Sequence, residues 1–132
     1  MALARIPAND PRGPLDIAAF SAGITGTVIR PEDGAYEDAR LIHNAVYDRR
    51  PSLIVKAASS ADVARTVIFA REHDLEIAVR GGSHSLAGHS TTEGGIVLDL
   101  RDLKSLDIDT DRRSAWAGAG TVGPEAIALK AT

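Results

Sequence analysis

Apolar positions recur along this chain with two different periods, and each change of period marks where an element begins or ends. Ala39, Leu41, Ile42, Ala45 and Val46 fall near helical spacing and predict a helix from residue 36 to about 49, stopped at Pro51. Leu53, Ile54 and Val55 then stand in a row, which predicts a short buried strand over 52–57. Ser59 and Ser60 suit the N-cap of a helix from 61 to about 74, because a seryl oxygen accepts from the free N–H groups of a first turn. Val63, Val67 and Ala70, joined by Ala64 and Ile68, mark its apolar face. Asp62 near its start, and Arg71 and His73 near its end, each carry the sign that the helix dipole favours. Residues 75–80 read as a second strand, and 95–100, 105–109 and 114–119 as three more, with 110–113 a polar hairpin turn. A last helix is expected after Thr121.

The N-terminal part behaves differently. Pro7, Pro11, Pro14 and Pro31 block long regular elements, so residues 1–34 read as an irregular arm with one short helix near 15–22. The remainder, 35–132, holds a strand–helix–strand unit with a glycine turn at the C-terminal edge of its second strand, a place where ligands commonly sit.

That turn carries the candidate chemistry. Val79 to Ser90 reads V-R-G-G-S-H-S-L-A-G-H-S. Gly81 and Gly82 allow a sharp turn and close approach of backbone to a ligand. The N–H groups of Gly81, Gly82, Ser83, His84 and Ser85 can converge on an anion, and the hydroxyls of Ser83, Ser85 and Ser90 add donors. His84 stands on the rim of this cradle. A glycine pair is also compatible with a purely structural turn. His89, on the same loop, reads first as a solvent-facing residue, His43 as a packed or surface histidine, and His73 as a helix-end charge. Trp116, the sole tryptophan, is expected in the core.

Composition narrows the partners. A chain of 132 residues with 44% hydrophobic content supports one domain with a real core. With 15 basic and 18 acidic residues and no basic cluster, nothing points to a nucleic-acid or membrane partner. Arg49-Arg50 before Pro51 reads as a helix end. There is no cysteine, hence no disulfide or thiolate site, and the histidines show no metal-ligand spacing. The first residues carry prolines and charges where a signal peptide would have an apolar run, so a cytoplasmic protein is expected.

Several motifs together resemble one family. Arg80-x-x-x-His84-Ser85, then Gly88-x-Ser90 and Gly94-Gly95-Ile96-Val97-Leu98-Asp99-Leu100, is similar to the flavin-binding loop of the FAD-linked oxidases. These form the vanillyl-alcohol oxidase superfamily; the similarity is to its branch of berberine bridge enzyme and 6-hydroxy-D-nicotine oxidase. Asp48-Arg49-Arg50-Pro51, Phe69-Ala70-Arg71-Glu72-His73 and Ala117-Gly118-Ala119-Gly120 occur in the same order, so the resemblance runs from about Gly34 to Thr121. It implies an α+β fold: the N-terminal subdomain of a PCMH-type FAD-binding domain, a small sheet flanked by helices. Because such proteins are several times longer, the chain is expected to be the first, truncated part of that domain, with the substrate domain missing.

The resemblance also implies FAD as cofactor, a small organic substrate and oxygen as electron acceptor in the complete enzyme. Arg80 would precede the pyrophosphate cradle, Gly88 and Ser90 would close its far side, and His84 would bond to the 8α carbon of the flavin. The alternatives are a noncovalent flavin oxidoreductase, in which His84 only hydrogen-bonds within the loop, and a silent truncated module. His89 could approach the flavin, and Gly118 could let backbone near it or merely fill a crowded strand end. Asp99 resembles an acid of flavin loops or caps the next turn. No residue reads as a substrate base, so no catalytic residue is assigned beyond the anchor. An incomplete sheet is expected to self-associate as a homo-oligomer or to need a second chain.

Overall fold

The computed structural model describes residues 15–124. Its elements are α1 (Ile17–Ala22), β1 (Thr27–Ile29), α2 (Tyr36–Arg40), β2 (Leu53–Lys56), α3 (Ser60–Glu72), β3 (Ile77–Arg80), β4 (Ile96–Asp99), β5 (Leu106–Asp109) and β6 (Ser114–Ala117). Four strands form one sheet in the order β1-β2-β4-β3, and β5 and β6 form a separate antiparallel pair. β4 runs parallel to both its neighbours, with Val55 and Val79 each opposite Leu98, while β1 lies antiparallel on the outer edge of β2.

The runs Leu53-Ile54-Val55 and Ile96-Val97-Leu98 form the two central strands, which are covered on both faces and so need apolar side chains at every position. Alternation sends Leu53, Val55, Ile96 and Leu98 to one face, against Phe69 and Ala70 of α3 and Ile24. Ile54 and Val97 go to the other, with Ala78, Ile29 and Tyr36. Ser59 caps α3 as its residue type suggested, its side chain accepting from the Asp62 N–H. The slot between β2 and β3 is filled by β4, so the strand–helix–strand unit crosses over one strand position. α1 falls where the short helix was expected.

Three expectations change. The helix expected over 36–49 stops at Arg40, and Leu41 is already extended. Continuing it would need the Ala39 and Arg40 carbonyls for later N–H groups, but the Arg80 guanidinium takes both. The arm also contains a strand, β1, whose three β-branched residues are too few to show a period. Trp116 is not in the core: it is 83% exposed, because among the described residues β5 and β6 pair only with each other, and every β6 side chain faces solvent. The helix expected after Thr121 lies, beyond Pro124, outside the described residues. No helix among the described residues is long and apolar enough to cross a membrane.

Asp62 does more than suit a helix dipole. It is buried, and its two oxygens accept from the N–H groups of Thr25 (2.8 Å), Gly26 (2.9 Å) and Ala58 (2.9 Å), tying the turn before β1 to the start of α3. Burial alone would push this carboxyl up, but the backbone donors outweigh it and hold the pKa below the usual value. A carboxyl with a folded pKa below its unfolded one adds stability that is complete above the unfolded value, about 3.9. That stability is lost as pH falls through the folded value. The urea midpoint should therefore fall as pH drops from about 5 to about 2, and fall less steeply in Asp62→Asn. Parallel pH profiles for the two proteins would remove Asp62 from this role.

Candidate cofactor-binding site

β3 delivers the chain into the loop 81–92 at the C-terminal edge of the parallel strands, and Arg80, its last residue, anchors that loop from below. The Arg80 side chain is fully buried. Its Nε donates to the Ser90 carbonyl at 3.1 Å, Nη1 to the Ala39 carbonyl and Nη2 to the Arg40 carbonyl at 3.3 Å. The Asp99 carboxylate lies 3.9 Å from Nη1. Burial lowers the guanidinium pKa, opposed by Asp99 and assisted by the nearby Arg101. Arg80 thus joins the far end of the loop to α2, rather than lying in the cradle itself. Asp99 caps the next turn by accepting from the Arg101 N–H at 3.0 Å, and it also pairs with the Arg101 side chain.

Above Arg80 the backbone is open. None of the N–H groups of Gly81, Gly82, Ser83, His84 or Ser85 has a partner among the described residues. Ser83 sits in the left-handed region, at φ 60°, and its Oγ is buried without a hydrogen-bond partner among them. Backbone strain and an orphaned hydroxyl both carry a cost, and both occur at the centre of the suspected cradle. His84 is exposed, with the Nδ1–Cε1 edge of its ring folded over Gly82. A Cβ at Gly82 would stand 2.7 Å from Nδ1, so the glycine makes the room in which this ring lies.

The far half of the loop is internally closed. Ser85 Oγ accepts from the His89 N–H at 3.0 Å, and the Ser85 carbonyl accepts from the Gly88 N–H at 3.3 Å. Gly88 has φ 74°, and a Cβ there would be 2.6 Å from the Tyr47 ring. Ser90 is buried and His89 exposed. Gly118 proves to be a crowded strand end: a Cβ would stand 2.3 Å from the Leu103 carbonyl oxygen, and its N–H donates to Ser105. The same segment still borders the cradle, since the Ala119 carbonyl oxygen is 3.4 Å from where a Gly81 Cβ would be.

Residues 41–49, expected as helix, instead brace this loop together with Arg50. Arg49 Nη1 donates to the carbonyls of Gly88 and Thr91, both at 3.0 Å, and its guanidinium lies over the Tyr47 ring. Asn44 Nδ2 donates to the Leu86 carbonyl at 3.4 Å. Glu37 pairs with Arg50 and Arg40, whose hydrogen bonds hold its carboxyl below the usual range, and Arg40 pairs also with Asp48. Sequence reasoning passed over Arg49 as part of a helix end and singled out nothing at Tyr47. The available signal was Pro51, which disfavours helix at Arg50 and so argues for extended chain next to Arg49.

Unpaired N–H groups with an orphaned hydroxyl at their centre suit a diphosphate, and an exposed imidazole beside them suits a group carried on that diphosphate. The family model described as FAD binding domain matches residues 51–129. The chain belongs to that family. Its cofactor is FAD. Among relatives, this FAD-binding domain is 40% identical over 109 residues to (R)-6-hydroxynicotine oxidase of Paenarthrobacter nicotinovorans, covering 83% of this chain and 24% of that protein. It is 27% identical over 124 residues to berberine bridge enzyme-like 8 of Arabidopsis thaliana, covering 86% and 22%. The solved structure of 6-hydroxy-D-nicotine oxidase from Arthrobacter nicotinovorans superposes with a TM-score of 0.78 at 40% identity, over 82% of this chain and 24% of that one. The chain therefore spans about a quarter of the length of these relatives. The α+β expectation stands, as a mixed sheet with few helices.

The residues present fit FAD. The open N–H groups of 81–85 and the Ser83 hydroxyl would hold the pyrophosphate, and His84 would face the flavin end.

Proposed function

We propose that this chain is the part of an FAD-dependent oxidase that grips the pyrophosphate through residues 81–85 and bonds the flavin through His84. The observation that carries this reading is the run of backbone N–H groups with no partner among the described residues, ending in an exposed imidazole. Bound FAD would supply two-electron oxidation of a small organic substrate, with oxygen taking the electrons. The name of the P. nicotinovorans relative, an oxidase, supports that choice of acceptor.

Each residue has its own task. Gly81 and Gly82 keep side chains away from the diphosphate, and the N–H groups of Ser83 and His84 complete its shell. Arg80 and Arg49 hold the far half of the loop by its carbonyls, which fixes the end opposite the open amides. Gly82 leaves the space in which the His84 ring lies, which places a nitrogen nucleophile at a fixed point on the rim.

Titrating the 15N-labelled chain with FAD tests the cradle directly. The largest shifts are expected at the amides of Gly81 to Ser85. Shifts confined to the groove between α1 and α3, a cavity of about 320 Å³ lined by Phe20, Arg65, Ile68 and Phe69, would place the nucleotide elsewhere.

A further inference from the structure

The hairpin of β5 and β6 has two outer edges, and charge protects only one of them. Among the described residues, no strand pairs with the outer edge of either. β5 carries Asp107 and Asp109, whereas β6, Ser114-Ala115-Trp116-Ala117, has no charged residue and no proline. An edge of that kind is a template for another strand. Trp116 stands in the middle of it with its indole in solvent, the one large apolar side chain on a strand of small residues.

The ladder fixes which groups this edge offers. The Gly118 N–H donates to the Ser105 carbonyl at 2.8 Å, so hydrogen-bonded pairs recur at Trp116 with Asp107 and at Ser114 with Asp109. Ala115 and Ala117 lie at the intervening positions, and their N–H and C=O groups point away from β5. A second copy approaching antiparallel about a two-fold axis must match outward groups with outward groups. Pairing Ala115 with Ala115 would also pair Arg113 with the other copy's Ala117, but Arg113 is left-handed, at φ 53°, and does not continue the strand. Pairing Ala117 with Ala117 would recruit Ala119, whose carbonyl already borders Gly81 at the cradle. The register that remains pairs Ala115 of each copy with Ala117 of the other. It sets Trp116 opposite its own counterpart, at a position without hydrogen bonds, where facing side chains lie closest. The diagonal neighbours are Ser114 and Gly118, small enough to leave room for two indoles. The same construction on β5 would oppose Asp107 with Asp107, so like charges disfavour that edge.

We propose that β6 is a self-association edge, through which two copies of this chain join their hairpins into one antiparallel sheet, ordered β5-β6-β6-β5, with the two Trp116 side chains in contact at the two-fold axis. Each indole so covered withdraws at most about 150–250 Å² from water, and two of them fall well short of the roughly 1,200 Å² of a stable interface. The dimer is therefore weak, with half-association on the order of 0.1 mM.

Trp116 is the sole tryptophan, so its spectra report on this edge alone. Sedimentation velocity of the full chain over a dilution series should show monomer passing to dimer as concentration rises. Over the same series the tryptophan emission should move to shorter wavelength, and a far-UV exciton couplet between paired indoles should grow. Ala117→Pro removes an N–H that the hairpin itself does not use, and an edge strand tolerates that change. Trp116→Lys opposes two ammonium groups at the axis without touching the core. Both variants should stay monomeric throughout the series. A parent chain that is monomeric at every concentration would overturn the proposal. So would dimers that show no couplet, or that form as readily in Trp116→Lys, since either result places the interface elsewhere.

Discussion

His84→Ala will carry no covalent flavin, while its affinity for free FAD changes by no more than a few-fold. The two effects separate because the structure gives the side chain and the backbone of this residue different tasks. The His84 imidazole is exposed and holds no other described residue by a hydrogen bond, so its loss leaves the loop intact. The loop is shaped instead by Arg80 on the Ser90 carbonyl and by Arg49 on the carbonyls of Gly88 and Thr91. The His84 N–H, which the alanine variant keeps, remains part of the cradle. In-gel flavin fluorescence after denaturation reads the covalent fraction, and equilibrium dialysis reads the free affinity. A fluorescent band that survives in His84→Ala would move the anchor to another residue, with His89 the first candidate on the same loop.

Arg80→Met should cost about 3–5 kcal/mol, as expected when one partner of a buried, hydrogen-bonded charge is removed. Methionine fills much of the space but donates nothing. The carbonyls of Ser90, Ala39 and Arg40 would lose their donor together, and the buried Asp99 would keep only Arg101 for its charge. Typical domains have only about 5–15 kcal/mol in total, so the loss should be plain in urea unfolding. Arg80→Lys should recover little, because one ammonium group cannot reach three carbonyls that a guanidinium fork spans. A variant as stable as the parent would mean that the loop and α2 are held by other contacts.

Much of this architecture could be read from the chain because the informative signals were local. The unbroken apolar runs at 53–55 and 96–98 mark strands buried on both faces, and Ser59 marks the start of α3. The glycines and His84 marked by residue type the turn whose N–H groups have no partner among the described residues. What escaped depends on contacts between distant residues. Residues 41–46 have helical periodicity, yet the helix ends because a guanidinium 40 residues later takes its last carbonyls. Val46, counted on the buried face of that helix, is 84% exposed. Arg80 was read as the residue preceding the cradle, and residue type did not show that its buried side chain would bind distant carbonyls. Arg49, dismissed as a helix end, became a brace for the loop through a separation of 39 residues to Gly88. Trp116 shows the same limit from the other side: alternation assigns it a strand face, but not whether anything covers that face.

The most direct test of the flavin anchor is to locate the attachment by tandem mass spectrometry. Trypsin releases residues 81–101 as one peptide, because no Lys or Arg lies between Arg80 and Arg101, and that peptide contains both His84 and His89. After incubation of the chain with FAD, the flavin mass should appear on fragments that end before Ser85 while including His84. Flavin on fragments that begin at Gly88, or a peptide 81–101 that carries no flavin at all, would contradict the bond to His84.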